Sequence, residues 1–310
     1  MMEYLRGNMM EPTSSSDMAA YAGLVSVAMI WGLSWPAGRF IAIEFGSKVI
    51  TAAFLRFSFA VPFLFLFAWL ITGSLRVERK LHLYLFIFGI LQIALYNFFY
   101  LSGLRFTSAS DASLMIAINP LLTAIIASIL YVDERLNLRK IVGFVIAFIG
   151  EFLIFQFSPN YEVENRILGN VIIFLAALVW ATYSAFSRPI YQKVPPLRFQ
   201  AWVTLYGWMV LGIFALMEDP WDITPSTTSW GILLYLGILS AAVANTIFSI
   251  GIKRIGPSRT SIFVNMVPLF GIIASVLILG ENFSFWYLIS FALIVMGITL
   301  VTKKEKSTAT

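Results

Sequence analysis

The sequence predicts an all-α membrane protein: ten transmembrane helices in two inverted five-helix repeats. Three observations carry this expectation: a composition too apolar to face water, ten apolar runs of bilayer length, and basic residues gathered on one side. Of the 310 residues 59% are hydrophobic and only 12% charged, about half the charged share of a soluble domain. The mean hydropathy of +0.85 agrees. With so few charges the outer surface must face lipid.

A helix crosses the hydrocarbon core in about 20 residues. Runs of that kind lie at 19–38, 50–71, 81–101, 112–131 and 138–157, then at 167–190, 199–217, 230–250, 258–279 and 285–301. They are continuous rather than alternating, which selects helices over barrel strands. Ahead of the first run stand Glu3, Glu11 and Asp17 against Arg6. That leader is not the basic n-region of a signal peptide, so the run is read as the first membrane helix. Residues 1–18 and 303–310 read as a disordered leader and a basic tail, both cytoplasmic. Residues 19–157 and 158–302 form the two repeats.

Threading ten spans with the N-terminus in the cytoplasm places sixteen of the 21 Lys and Arg on the cytoplasmic side and four on the other, with Arg56 inside a span. Such asymmetry is what the positive-inside rule produces, and an error of one helix would scramble it. The expected location is therefore the cell membrane, multi-pass, with both termini cytoplasmic. The net charge of +5 follows from orientation and implies no nucleic-acid partner.

The halves repeat one another. Asn97, Gly103, Ser110 and Pro120 recur as Asn245, Gly251, Ser258 and Pro268 at a constant spacing of 148, and Trp31 and Arg39 recur as Trp180 and Arg188. Five helices per copy is an odd number, so the second copy is inverted in the membrane, as in secondary transporters. A passive channel or scaffold would not need such matched halves; a channel and a membrane enzyme stay as the less favoured alternatives.

The string Ser102-Gly103-Leu104-Arg105 through Asn119-Pro120 to Asp133-Glu134-Arg135 resembles the first EamA-type repeat of the drug/metabolite transporter superfamily. Gly251-Ile252-Lys253-Arg254 through Val267-Pro268 to Gly280-Glu281 resembles the second. The resemblance covers nearly the whole chain. It implies ten helices and a transporter of small metabolites, many members being exporters of amino acids or similar compounds. Drug-like cations, nucleosides and sugars stay open as substrates. The motifs do not fix the substrate, the direction of movement or the coupling ion.

Other classes find little support. There is no cysteine, and His82 is the single histidine, so thiolate and histidine-rich metal sites are excluded, and no cofactor or metal is expected. No hydrolytic constellation is present, so the chain is not expected to be an enzyme. The absence of a Gly-x-x-x-x-Gly-Lys-Ser/Thr loop argues against an ATP-driven pump. The expected partners are a small solute and the bilayer, and a homodimer stays open.

Polar groups inside a bilayer are costly and mark candidate sites. Asn97 and Asn245, and Asn119 and Asn265 ahead of the two prolines, either line a central cavity or bond between helices. Trp31, Trp35, Tyr96, Tyr100, Trp180 and Tyr183 can wall a pocket or lie in ordinary apolar contact, Trp31/Trp35 and Tyr96/Tyr100 each sharing a helix face. Pro120 and Pro268 fall mid-span and are candidate hinges. Glu151 and Asp111 are the candidate proton-coupling carboxylates. Arg39 and Arg188 are expected to snorkel to headgroups. Arg56 pairs with Glu44 or binds an anionic group, and Glu134 and Glu281 are expected to fix loops.

Overall fold

The computed structural model describes residues 15–130, 137–157, 163–191, 193–248, 250, 263–264 and 266–302. Asn265 and Glu134 lie outside them, as do the side chains of Pro120, Glu151 and Arg188. Among the described residues the chain forms ten helices. The first five are α1 (Ser15–Phe45), α2 (Val49–Thr72), α3 (Arg79–Phe106), α4 (109–130) and α5 (Leu138–Phe157). The second five are α6 (Arg166–Tyr191), α7 (Pro196–Ala215), α8 (Thr227–Phe248), α9 (Val267–Leu279) and α10 (Phe285–Thr302). Six of them, α1–α3 and α6–α8, are long and apolar enough to cross a membrane, while the apolar stretches in α5, α9 and α10 are shorter.

The boundaries follow local chemistry. Gly73 and Gly280 end α2 and α9 at φ of 64° and 67°, a left-handed conformation that glycine adopts without a Cβ clash. Ser108 caps α4 by accepting from the Asp111 amide, and Ser226 caps α8 by accepting from the Ser229 amide. α4 is interrupted: an α-helical piece Ala109–Met115 passes through a 3-10 turn, Ile116–Ile118, into Asn119–Leu130. Pro120 stands in the first turn of that last piece. Pro268 likewise stands in the first turn of α9, where a missing N–H costs nothing.

The packing obeys the repeat. Helix α1 packs on α9 as α6 packs on α4, α2 on α8 as α7 on α3, and α3 on α6 as α8 on α1. The pairs α2–α7, α4–α9 and α5–α10 map onto themselves when the halves are exchanged. Even the irregularities match. The π-helical stretch Ile90–Leu95 in α3 and its counterpart Tyr235–Ala244 in α8 overlap at the spacing of 148. Apolar residues such as Leu70, Ile71, Phe148 and Phe152 stay exposed on the outside, facing what would be lipid.

Candidate functional site

Where α1, α2, α3 and α8 meet, the two π stretches create a polar centre. A π turn displaces backbone carbonyls from the regular ladder and leaves them open to other donors. Arg56 of α2 is 9% exposed. Its Nε donates to the Leu236 carbonyl of the α8 π stretch at 3.2 Å, and its Nη1 donates to Asn97 Oδ1 at 3.0 Å. Asn97 Nδ2 donates in turn to the Ile93 carbonyl of the α3 π stretch at 2.8 Å. The guanidinium lies 5.2 Å from the Phe57 ring centre and 5.9 Å from that of Tyr100, within reach of cation–π attraction.

Around this centre runs a row of aromatic rings. Trp35 meets Tyr100 edge-on at 5.1 Å, Tyr100 stacks on Tyr96 at 6.0 Å, Tyr96 touches Trp180 at 5.1 Å, and Trp180 meets Tyr183 at 5.7 Å. The row therefore crosses from α1 through α3 to α6, joining both halves of the chain.

Two polar links flank it. In one, Ser34 of α1 donates to Ser240 Oγ of α8 at 2.8 Å. In the other, Gln200 Nε2 donates to the Tyr183 hydroxyl at 3.3 Å, while Gln92 Nε2 donates to Gln200 Oε1 at 3.2 Å. Gln92 and Ser240 stand 148 apart and Ser34 and Tyr183 stand 149 apart, so Gln200 bridges, in the other half, the pair of positions that Ser34 and Ser240 join directly. Trp31 Nε1 donates to the Ser240 carbonyl and the Tyr100 hydroxyl donates to the Ser34 carbonyl, tying α1 to both π-bearing helices.

About 10 Å from Arg56, by helical rise, one end of the bundle is closed by carboxylates. Glu281 accepts from the Ala109 and Ser110 amides and the Ser110 hydroxyl at the start of α4. Glu218 does the same for Ile50, Thr51 and the Thr51 hydroxyl at the start of α2. Glu44 accepts from the Ser226 amide and the Ser229 hydroxyl at the start of α8. Each anion meets the positive end of a helix dipole and orphan N–H groups. At the opposite end lie Arg76, Arg79, Lys80 and Arg198.

The structure brings Trp35, Tyr96, Asn97, Tyr100, Trp180 and Tyr183 together, with Trp31 attached through Ser240. Asn119 is buried at the break in α4, its Oδ1 accepting no hydrogen bond among the described residues. Asn245 is half-buried on α8 just past the π stretch.

Two sequence expectations change. Arg56 does not pair with Glu44, whose carboxylate is engaged by α8. Arg39 does not snorkel: it turns inward, donates to the Leu104 and Thr107 carbonyls and stands 3.9 Å from Glu281. Asp111 is fully buried and matched, accepting from Arg166 Nε at 2.7 Å and from the Tyr287 hydroxyl at 3.1 Å. Asp111→Asn is expected to cost about 3 kcal/mol, the low end for breaking a buried pair, because the Arg166 side chain keeps 17% exposure. The drop in thermal midpoint in detergent, with Arg166→Gln on the same background restoring part of it, measures this.

Ser34, Gln92, Gln200, Ser240 and Tyr235, whose hydroxyl donates to the Ile30 carbonyl of α1 at 2.6 Å, belong to the centre and carry no signal of their own in the sequence. The spacing of 148 between Gln92 and Ser240 was the available signal.

Ten helices, inverted packing and a polar centre shared by both halves define a membrane transporter. The chain belongs to the EamA-like transporter family, which matches residues 18–156 and again residues 167–303. It is similar to the uncharacterized transporter YyaM of Bacillus subtilis, at 25% identity covering 90% of this chain and 92% of the relative. An uncharacterized transporter of Archaeoglobus fulgidus shares 25% identity over 93% of this chain and all of its own length. The protein PagO of Salmonella typhimurium shares 26% over 88% and 90%. A solved crystal structure superposes with a TM-score of 0.64 at 21% identity, over 90% of this chain and 96% of its own, and shows the same fold. The chain is thus a multi-pass membrane transporter of small solutes.

Proposed function

We propose that the protein is a secondary transporter that exports amino acids or related metabolites by alternating access, with the solute bound at the centre between the π stretches. The basic end faces the cytoplasm of the cell, and both termini lie there. The observation that carries this reading is the pairing of irregular, polar segments at equivalent places in the two inverted halves. Rocking of one half against the other then exposes a single central site to each side in turn. The carboxylate caps close the outer access in the conformation described. Pro120, in the first turn after the break in α4, and Pro268, in the first turn of α9, are the hinges of that motion.

Counterflow in proteoliposomes tests the proposal, with an unlabelled amino-acid mixture inside and single labelled amino acids outside. A labelled solute is expected to accumulate transiently, and Asn97→Ala or Trp180→Ala is expected to lower the signal at least tenfold. Asn97→Ala removes the acceptor of one Arg56 hydrogen bond, and a bond to a charged group is worth about 1.5–3 kcal/mol. No accumulation with any amino acid would remove that substrate class.

A further inference from the structure

We infer that Arg56 is the residue that recognises the transported solute, and that it does so by binding a single carboxylate group. The inference rests on the reading of the centre as the solute site and adds the chemistry of what enters it.

Two arginines less deeply buried than Arg56 face carboxylates. Arg166 is matched by Asp111 at 2.7 Å and Arg39 faces Glu281 at 3.9 Å. Arg56 is more than nine-tenths buried, yet among the described residues no carboxylate lies within 4.0 Å of it. A guanidinium has five N–H donors, and Arg56 uses two, on the Leu236 carbonyl and Asn97 Oδ1. A buried cation that serves only to hold helices together is normally paired, because removing an unpaired charge from water is costly. Among the described residues the charge is uncompensated and three of its donors are unused.

The symmetry of the molecule sharpens the point. A Cβ on Gly237 of α8 would meet the Arg56 carbonyl and Phe59 Cβ, and one on Gly89 of α3 would meet the Val203 carbonyl and Tyr206 Cβ. The mate of Arg56 in the inverted half is therefore Val203. Packing of α2 on α8 does not require an arginine, since the equivalent contact of α7 on α3 is made by valine. The charge is an addition to one half of a symmetric frame.

The free donors form a planar fork, which fits the two oxygens of a carboxylate. One guanidinium neutralises one negative charge. A phosphate dianion would leave a second charge unmatched in the same apolar surroundings, and a cationic solute would meet like charge, while the Tyr100 ring beside it supplies no anion.

The full-length protein in lipid nanodiscs, titrated with each of the twenty amino acids and with the carboxamide of each while tryptophan fluorescence is recorded, tests this. At least one free acid is expected to change the fluorescence saturably, and its carboxamide to bind at least tenfold more weakly. Arg56→Gln is expected to weaken binding of the acid about ten- to a hundredfold and to erase the preference for acid over amide. Arg56→Lys, which keeps the charge without the fork, falls between. Size-exclusion profiles identify any variant that has not folded, in which case Asn97→Ala, which releases the fork from its Asn97 bond, must by itself reduce the acid-over-amide ratio. Equal binding of acids and amides, no binding by any acid, or an unchanged ratio in a folded Arg56→Gln protein overturns the inference. Counterflow of an uncharged solute unaffected by Arg56→Gln would sink it while leaving the transport reading intact. Carboxylate binding without counterflow would do the reverse.

Discussion

Replacing Glu281 by alanine is expected to open the carboxylate-capped end of the bundle. Its two oxygens accept from the Ala109 and Ser110 amides and from the Ser110 hydroxyl, and Arg39 stands 3.9 Å away. Glu281 sits just past α9 and the groups it holds start α4, so it clamps one half of the molecule to the other. Hydrogen bonds to a charged group contribute about 1.5–3 kcal/mol each. Water that follows an opened end replaces part of this, and a net loss of about 2–3 kcal/mol to the closed form is expected. Every 1.4 kcal/mol is about a tenfold shift in population.

The chain contains no cysteine, so one introduced thiol reports without background. Ala112, one turn into α4, is fully buried. Ala112→Cys is expected to react slowly with a membrane-impermeant maleimide, and Glu281→Ala on that background to accelerate labelling at least tenfold. Glu281→Gln, which keeps the shape and an acceptor, gives a smaller rise. Labelling that does not respond to Glu281→Ala would show that the cap is not part of a gate.

The helices were legible because their signal is local. Apolar runs placed α2, α6 and α10 within a residue of their observed ends, since a stretch that must hide its backbone from lipid ends where polar residues begin. The repeat was legible through identities at fixed spacing, and Tyr96 and Tyr100 were paired from their four-residue separation alone. What could not be read was set by distant neighbours. Arg39 at a span end looks like any snorkelling arginine, and what turns it inward is distant in sequence: the Leu104 and Thr107 carbonyls and Glu281, 242 positions along the chain. Of the two partners expected for Arg56, Glu44 or an anionic group, the first is taken, because Glu44 caps α8. The π stretches have no residue signature here, so the carbonyls that receive Arg56 and Asn97 were invisible, and with them Ser240 and Gln92.

Substitution of Gly237 is expected to have the largest effect on folding. Gly89 and Gly237 are repeat mates that let α3 approach α7 and α8 approach α2 at backbone distance. Between helices in lipid there is no water-driven attraction, so close packing of small residues carries the association. At Gly89 a Cβ would sit 2.7 Å from the Val203 carbonyl and 2.8 Å from the Gly207 nitrogen, and at Gly237 it would press on the Arg56 carbonyl. Neither obstacle is a flexible side chain. Added atoms in a close-packed interior cost about 1–3 kcal/mol, so each alanine variant is expected to lose that much. Gly237→Leu is expected to give no monodisperse protein in detergent. Gly231, on the same helix with nothing within 4 Å of its would-be Cβ, provides the contrast: Gly231→Ala should gain up to about 1 kcal/mol of helix propensity. The two mates should then diverge in function. Gly237→Ala pushes directly on the backbone that carries Arg56, whereas Gly89→Ala pushes on Val203, so equal losses of stability should accompany a fall in solute affinity for Gly237→Ala alone. Matching affinity losses in both variants would mean that the two halves shape the site equally and that Arg56 has no special share in it.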